Sequence, residues 1–240
     1  MKAMILAAGV GSRLRPLTDE TPKALIDVGG APMIEHVIRR LKLAGVTEIV
    51  INLFHLGDQI VDFLASRGNF GLRVVFAREV ELLDTGGGLK NAAGFFDDGK
   101  PFLLHNVDVL SEIDLGGLHR FHRASHALAT LAVQRRTSSR LLLFDREGLL
   151  CGRETREGVE WAKAAVRGVE RLAFTGIHVI DPAIFFRMTE TGIFPITHAY
   201  LRLAGAGERI VACRVDGSYW QDIGSPENLA KARERAAGAA

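Results

Sequence analysis

A glycine-containing loop near the start of the chain holds the first residues whose types and spacing could do chemistry. It reads LAAGVGSRLRPLT from Leu6 to Thr18. Glycine loops expose successive backbone N–H groups, which can hold phosphate oxygens. Arg13 adds a guanidinium fork and Lys23 a compact positive charge, and both groups suit phosphate. These residues predict a polyphosphate-binding loop, with a structural turn and a solvated basic rim as the alternative.

Two familiar phosphate motifs do not describe this loop. The dinucleotide-binding fingerprint requires glycine or alanine where Leu14 stands. A Walker loop ends in Gly-Lys-Ser or Gly-Lys-Thr, and residues 6–18 contain no such triplet. A nicotinamide-dependent oxidoreductase is therefore disfavoured, whereas a site for another polyphosphate ligand stays open.

Two aspartates could hold a hard cation. Asp108 stands at the predicted carboxyl end of a strand, where open α/β sheets bind ligands. Asp222 lies far along the chain, in the segment YWQDIG. Mg²⁺ is typically held by one or two carboxylates together with substrate phosphates. Either aspartate alone is more often a turn or helix-cap residue, and spacing along the chain does not show that the two meet.

The elements that must position these residues alternate between strands and helices in the first half of the chain. Hydrophobic periodicity predicts strands at 2–8, 48–53, 72–77 and 101–104, helices at 31–44 and 58–67, and a further helix opened by Gly86–Gly88 and running through Phe96. This alternation indicates a mainly parallel sheet flanked by helices. The second half has predicted strands at 127–134, 141–144, 172–180 and 209–215 and indicates a mixed sheet.

Composition limits the classes of protein to consider. The chain has 240 residues, of which 48% are hydrophobic, 30 are basic and 28 are acidic. This near balance of charge argues against a dedicated nucleic-acid or membrane-surface binder. Cys151 and Cys213 lack the spacing of a zinc or redox pair and make no disulfide framework. Because no apolar run reaches 18 residues, we expect a cytoplasmic protein with no membrane partner. The near balance of charge predicts no nucleic-acid partner.

Several motifs in order along the chain resemble those of one family. After the loop at 6–18 come TPKAL at 21–25, VGGAPM at 28–33, LDTGGG at 83–88, NVD at 106–108 and WQDIG at 220–224. Together they closely resemble the motifs of the sugar-1-phosphate nucleotidyltransferases, also called nucleotide-sugar pyrophosphorylases. The compact N-acetylmuramate-1-phosphate uridylyltransferases and the mannose-1-phosphate guanylyltransferase-like members look most similar.

The resemblance implies a fold and a reaction. The fold would be α/β, with a Rossmann-like, mixed but mainly parallel sheet flanked by helices and a smaller sugar-binding lobe. One domain, 1–240, would comprise a nucleotide-binding half at about 1–112 and a sugar-binding half at about 113–240. The reaction would be Mg²⁺-dependent: a nucleoside triphosphate and a sugar 1-phosphate would give an NDP-sugar and pyrophosphate. A catalytically silent nucleotide-sugar-binding regulatory protein is the alternative, and the base, the sugar and a homodimer stay open.

The resemblance also implies roles for individual residues. Arg13, Lys23 and Asp108 would be catalytic, and Asp108 and Asp222 would bind the metal. The nucleotide-binding set would be Leu6, Ala7, Ala8, Gly9, Gly11, Ser12, Arg13, Lys23, Thr85, Gly86 and Gly87. The sugar-phosphate-binding set would be Asn106, Arg140 and Gly176.

The chain departs from the family pattern in two places. Val107 precedes Asp108 where many members have glycine. The Glu-Lys-Pro segment, whose lysine holds the sugar phosphate in many relatives, is missing. Arg140, Arg153 and Lys163 are the candidate replacements for that lysine.

Overall fold

The structure is a computed structural model that describes residues 1–165 and 167–238. The chain folds into two compact units, each assembled from separate segments. Unit 1 contains Met1–Leu82, His105–Leu115 and Ser218–Ala240, and unit 2 contains Leu83–Leu104 and Gly116–Gly217. All the residues proposed above for metal binding and catalysis therefore belong to unit 1.

The elements follow one another as strands and helices. The strands are β1 (Lys2–Leu6), β2 (Asp27–Val28), β3 (Ala31–Pro32), β4 (Glu48–Leu53), β5 (Arg73–Arg78), β6 (Phe102–Asn106), β7 (Val109–Ser111), β8 (Ala129–Gln134), β9 (Leu141–Phe144), β10 (Leu150–Thr155), β11 (Gly158–Trp161), β12 (Glu170–Ile180), β13 (Ile210–Arg214) and β14 (Trp220–Asp222). The helices are α1 (Leu17–Glu20), α2 (Met33–Leu43), α3 (Gly57–Ser66), α4 (Asp84–Asn91), α5 (Leu115–Ser125), α6 (Ile184–Arg187), α7 (Ile196–Gly205) and α8 (Pro226–Gly238). Within the described part of the chain, no helix combines the length and apolar character that crossing a bilayer requires.

Unit 1 is built around parallel strands. β4 pairs in parallel with β1 and with β5, so that Val50 lies opposite both Met4 and Val75. Near-continuous apolar strands such as β1 and β4 are typical of a parallel sheet covered on both faces. α2 buries apolar residues at helical spacing between Ile34 and Leu41, and Gly45, with a φ of 85°, follows its end.

A short antiparallel ribbon in unit 1 joins the segment after β6 to the last part of the chain. β7 pairs with β14, and Val109 lies opposite Asp222. α8 follows β14 and packs Leu229 and Ala232 into a buried apolar cluster. The buried members of that cluster are Leu14, Ile26, Val28, Met33, Ile223, Leu229 and Ala232. The start and the end of the chain therefore share one core.

Unit 2 contains an antiparallel meander. β12 pairs with β9 and with β8, β9 pairs with β10, and β10 pairs with β11, all antiparallel, while β13 pairs with β8 in parallel. The register of β12 against β8 shifts between Phe174 and His178, where Gly176 has a φ of 78°. The bulge bends β12 at a position that glycine accommodates without strain.

The predicted α/β class, with a mixed sheet and flanking helices, is confirmed. The strand at 48–53 and the strand at 141–144 have the predicted bounds. The predicted opening of a helix at Gly86–Gly88 is wrong, because α4 begins at Asp84 and encloses these glycines. The sequence pattern does not predict β10 and β11, because Arg153, Glu154 and their neighbours break the apolar pattern by which strands are recognised. The helix α7 is also absent from the prediction, although it buries apolar residues at helical spacing.

We expect Gly86→Ala to destabilise the protein. A Cβ on Gly86 would lie 2.3 Å from Cε2 and 2.8 Å from the carbonyl oxygen of Phe194. Such overpacking typically costs about 1–3 kcal/mol, whereas helix propensity alone would favour alanine by about 1 kcal/mol. Urea unfolding of Gly86→Ala beside Gly94→Ala, whose Cβ would meet nothing within 4 Å, measures the effect. If Gly86→Ala were as stable as the wild-type protein or more stable, the close packing of Gly86 on Phe194 would be contradicted.

Candidate active site

Gly11 shapes the loop that follows β1. Its φ is 65°, in the left-handed region that favours glycine. The carbonyl oxygen of Gly11 accepts hydrogen bonds from Leu14 N at 2.8 Å and from the Thr18 hydroxyl at 2.9 Å. A Cβ on Gly11 would lie 2.8 Å from Cγ2 of Thr18. The backbone and the packing of the loop therefore both require glycine at this position.

Gly9 lies in the same loop under a different constraint. It is exposed, its φ is outside the left-handed region, and a Cβ there would meet no atom of the described residues within 4 Å. The backbone at Gly9 is therefore accessible to a ligand from solvent. This is the property that binding of a phosphate to a glycine loop exploits.

Two polar residues hold the base of the loop. Asn52, at the carboxyl end of β4, is 3% exposed. Its side-chain oxygen accepts a hydrogen bond from Ala7 N at 2.7 Å, and its amide group donates to Glu79 Oε1 at 2.8 Å. Neither residue belongs to a motif recognised in the sequence. The available signal was a single asparagine within the otherwise apolar run IVINL.

Leu14 explains why the loop departs from the dinucleotide fingerprint. It lies in the short 3₁₀ helix Ser12–Leu14 and is 4% exposed. It belongs to the apolar cluster that also contains Ile223 and Leu229. Leucine is therefore a core residue here, and it attaches the loop to the segment that carries Asp222.

The structure brings Asp108 and Asp222 into neighbouring positions. Val107 N donates to Leu6 O at 3.0 Å, which sets Asp108 directly beyond the end of β1. Ile223 N donates to the carbonyl oxygen of Asp108 at 2.9 Å. The backbones of the two aspartates are thus adjacent in unit 1, although they are far apart in the sequence.

Lys23 and Arg13 reach the same site. The Lys23 ammonium forms an ion pair with Oδ2 of Asp108, and the two side chains are 11% and 26% exposed. Arg13 Nη2 and Asp222 Oδ1 lie 2.7 and 2.8 Å from the position that a Cβ on Gly224 would take. Two cations and two carboxylates therefore converge beside the glycine loop.

His105 lies close to these groups but adds no charge to them at neutral pH. Burial lowers its pKa to about 4, against the opposing influence of the nearby Asp108 carboxylate. Nδ1 is 2.8 Å from the carbonyl oxygen of Asn106, which can only accept, so Nδ1 donates. The imidazole is therefore neutral, and the cations of the site are Arg13 and Lys23.

The predicted site residues divide between the two units. Unit 1 contains Leu6, Ala7, Ala8, Gly9, Gly11, Ser12, Arg13, Lys23, Asn106, Asp108 and Asp222, and unit 2 contains Thr85, Gly86, Gly87, Arg140 and Gly176. In unit 2 the backbone nitrogens of Gly86 and Gly87 both donate to Phe194 O, and the Thr85 hydroxyl accepts from Ile196 N at 2.9 Å. Close packing of Gly86 on Phe194, and of Gly87 on Leu83 and the carbonyl oxygen of Gly192, accounts for these two glycines. Their contact with a nucleotide stays a prediction.

A cavity of about 930 Å³ lies within unit 2. Arg140, Arg153 and Arg156 line it, together with Phe174 and His198. Two of the candidate replacements for the missing lysine, Arg140 and Arg153, therefore open onto one cavity. Lys163, the third, is exposed and lies outside this lining. Arg156 lines the same cavity but is not among the candidate residues predicted from the sequence.

The donor set of unit 1 suits a magnesium ion that is shared with phosphates. Asp108 and Asp222 supply hard oxygen ligands, which Mg²⁺ prefers. Residues 1–165 and 167–238 contain no cluster of three or more histidine, cysteine, aspartate or glutamate side chains placed to hold a metal ion. Two carboxylates agree with the usual magnesium site, in which substrate phosphates and water supply the remaining ligands.

A family model described as Nucleotidyl transferase matches residues 2–141, more than half of the chain. The chain belongs to the nucleotidyl transferase family. The matched part covers the glycine loop, Lys23 and Asp108, whereas Asp222 lies beyond it.

Similar curated proteins carry two kinds of name. A Neisseria meningitidis protein named N-acetylmuramate alpha-1-phosphate uridylyltransferase is 51% identical over 115 residues, which are 48% of this chain and 49% of that protein. A rice protein named probable mannose-1-phosphate guanylyltransferase 1 is 32% identical over 95% of this chain and 62% of its own length. The chain thus spans about half the length of the Neisseria protein and about three fifths of the length of the rice protein.

A third relative matches along nearly its full length. The Caulobacter vibrioides protein named N-acetylmuramate alpha-1-phosphate uridylyltransferase is 32% identical over 98% of this chain and 96% of its own. Among solved structures, HddC from Yersinia pseudotuberculosis complexed with GMP-PN has a TM-score of 0.77 at 24% identity, covering 98% of both chains. A UDP-glucose pyrophosphorylase complexed with UDP-glucose has a TM-score of 0.80 at 18% identity, covering 100% of this chain and 99% of its own. These structures confirm the predicted Rossmann-like fold.

We expect Gly11→Ala and Gly9→Ala to differ in stability. Alanine at position 11 would adopt a left-handed conformation and press on Thr18, which should lower the free energy of unfolding by about 1–3 kcal/mol. Alanine at position 9 meets no such obstacle and should leave stability unchanged or slightly higher. Urea unfolding of both variants measures the difference, and equal stabilities would refute the assignment of Gly11 as the residue that shapes the loop.

Proposed function

We propose that this protein transfers a nucleotidyl group from a nucleoside triphosphate to a sugar 1-phosphate and releases pyrophosphate. The observation that carries the proposal is the convergence of Arg13, Lys23, Asp108 and Asp222 beside the glycine loop of unit 1. Membership of the nucleotidyl transferase family and the names of the similar proteins support it.

The chemistry of the reaction matches the residues at this site. A phosphate oxygen of the sugar 1-phosphate forms a bond to the α-phosphorus, and the bond from that phosphorus to the bridging oxygen breaks, so that pyrophosphate leaves with the electron pair. The second pKa of a phosphate monoester is about 6, so the attacking oxygen is already anionic at neutral pH. The reaction needs no strong general base, and its main requirement is to hold two anions in line.

Arg13 and Lys23 would neutralise the phosphates at the reacting centre. A guanidinium can bind two phosphate oxygens at once, and an ammonium provides a point charge. The ion pair with Asp108 holds the Lys23 side chain at the site, where 11% of its surface is exposed. The backbone from Leu6 to Ser12, with Gly9 open to approach, would bind the nucleotide.

Asp108 and Asp222 would hold Mg²⁺. When bound, the ion would screen the charge of the phosphates and assist the departure of pyrophosphate. The Val107 side chain, which replaces glycine in many family members, is 5% exposed. It therefore packs inside the protein and leaves the Asp108 carboxylate at the site.

The cavity of unit 2 is the proposed binding site for the sugar phosphate. The cavity lined by Arg140 and Arg153 provides cations and apolar surface for a phosphorylated sugar. Asn106 and Gly176 complete the proposed set of sugar-phosphate residues. The division into a nucleotide-binding half at about 1–112 and a sugar-binding half at about 113–240 belongs to this proposal.

The similar proteins favour a particular pair of substrates. The relative that matches over 96% of its length is named an N-acetylmuramate alpha-1-phosphate uridylyltransferase, which favours UTP and N-acetylmuramate 1-phosphate. The 32% identity to a protein named mannose-1-phosphate guanylyltransferase makes GTP and mannose 1-phosphate the second candidate. We place the reaction in the cytoplasm, where nucleoside triphosphates are available.

A matrix of substrates tests the proposed reaction. Pyrophosphate release is measured with UTP, GTP, TTP and CTP against N-acetylmuramate, mannose and glucose 1-phosphates in Mg²⁺. We expect the highest kcat/KM for UTP with N-acetylmuramate 1-phosphate. Best activity with GTP and mannose 1-phosphate would reverse the order of the two candidates. Release with no pair, together with binding of a nucleotide sugar, would instead support the silent regulatory alternative, which nothing observed so far favours.

Asp108→Asn and Asp222→Asn should each remove most of the turnover. Both variants lose a charged oxygen ligand for the metal, and Asp108→Asn also loses the partner of Lys23. We expect kcat/KM to fall by about 100-fold or more, equivalent to about 3 kcal/mol of transition-state stabilisation. Asp62→Asn, which removes an exposed carboxylate on α3, is the matched control and should retain full activity. Full activity in either site variant would exclude that carboxylate from the mechanism.

A further inference from the structure

We propose that Asn228 is a positioning residue that holds the Asp222 carboxylate in the orientation needed to bind a divalent cation. The proposal rests on the proposed function, because it takes Asp222 to be a metal ligand. Asn228 belongs to none of the motifs recognised in the sequence. It lies in the first turn of α8, six positions after Asp222.

The two oxygens of Asp222 are held by two separate donors. Oδ2 accepts a hydrogen bond from Asn228 Nδ2 at 3.0 Å, and Oδ1 accepts one from Gly224 N at 2.9 Å. Donors on different oxygens prevent the carboxylate from rotating about its Cβ–Cγ bond. A carboxylate can accept at about four lone-pair positions, so both oxygens keep capacity for a metal.

Asn228 is itself held by the start of α8. Ser225 precedes the helix, and its hydroxyl accepts a hydrogen bond from Asn228 N at 3.2 Å, the arrangement of a helix N-cap. Leu229 N donates to Ser225 O at 2.9 Å, and the Leu229 side chain is 5% exposed in the apolar cluster that contains Ile223. The amide of Asn228 is therefore fixed relative to Asp222 by the helix cap and by the core.

The chemistry of these donors distinguishes Asp222 from Asp108. Both donors to the Asp222 carboxylate, a backbone N–H and a side-chain amide, are uncharged. The Asp108 carboxylate, in contrast, forms an ion pair with the Lys23 ammonium. An uncharged donor orients a carboxylate without neutralising it, so Asn228 fixes the geometry of Asp222 and adds no positive charge to that of the nearby Arg13. Residues that orient metal ligands in this way typically affect affinity by about 10–100-fold.

Metal titration separates this role from a structural one. Mn²⁺ is titrated calorimetrically into the wild-type protein, Asn228→Ala, Ser225→Ala and Lys231→Ala, and the stability of each is measured by urea unfolding. We expect Asn228→Ala to weaken Mn²⁺ binding by about tenfold or more and to raise the Mg²⁺ concentration needed for half-maximal activity. Because Mg²⁺ at saturation restores the occupied site, kcat should fall much less than the metal affinity.

Two control variants share the helix of Asn228. Ser225→Ala removes one of the two supports of Asn228 but keeps its amide and the core packing of Leu229, so it should lower stability while weakening Mn²⁺ binding much less than Asn228→Ala does. Lys231→Ala removes an exposed ammonium that pairs with Glu227 and should change neither quantity appreciably. Equal weakening by Ser225→Ala and Asn228→Ala would overturn the proposal, because the helix start rather than the amide would then be responsible. Wild-type Mn²⁺ affinity in Asn228→Ala, or no Mn²⁺ binding by the wild-type protein, would also overturn it.

Failure of the proposed function has a different signature. Asp222→Asn is titrated in the same way, and unchanged Mn²⁺ binding would exclude Asp222 as a ligand and with it the role of Asn228. If Asp222→Asn and Asn228→Ala both weaken Mn²⁺ binding while no substrate pair releases pyrophosphate, the positioning role stands and the proposed reaction fails.

Discussion

The Asp108 carboxyl group and its own backbone form the junction on which the site depends. The carboxylate pairs with the Lys23 ammonium, and the carbonyl oxygen accepts a hydrogen bond from Ile223 N. These contacts connect three segments that are far apart in the sequence: the segment after the glycine loop, the end of β6, and the last ribbon before α8. A charged pair with limited exposure is stronger than a fully solvated one, because less water screens it. Loss of this junction would release Lys23 from Asp108 and remove one connection between Asp108 and the segment that carries Asp222.

An apolar cluster in unit 1 joins the same segments as this junction. Leu14 from the glycine loop and Ile223 from the residue after Asp222 lie in the same apolar cluster, with Leu229 of α8. Burial of these side chains is favourable only when the three segments lie together, so the core and the polar site stabilise the same arrangement. The site thus combines a rigid apolar base with charged groups at its surface, which is suited to holding two anionic substrates in line.

The glycines illustrate how one residue type serves different constraints. Gly11 has a positive φ, Gly86 lies against Phe194, and Gly9 has neither property. A sequence shows all three as the same residue in similar motifs. The structure separates them, because the conformation of the backbone and the distance to neighbouring atoms exist only in the folded chain. Packing explains Gly86 and Gly87, whereas neither packing nor backbone conformation in the described residues requires glycine at position 9.

The sequence by itself determined the α/β class, the bounds of its strongest elements and the residue types of the site. Periodicity is a local property, so the apolar strand at 48–53 and the amphipathic α2 can be recognised without tertiary contacts. The polar hairpin of β10 and β11 lacked such a pattern, and Asn52 and Asn228 lie outside the recognised motifs. Only the tertiary structure decided that Asp222 lies beside Asp108, that Lys23 pairs with Asp108, and that Asn228 holds Asp222. The physical reason is that strand pairing and helix docking bring together segments that are distant in the sequence. Contacts of this kind produce no local sequence pattern from which they could be predicted.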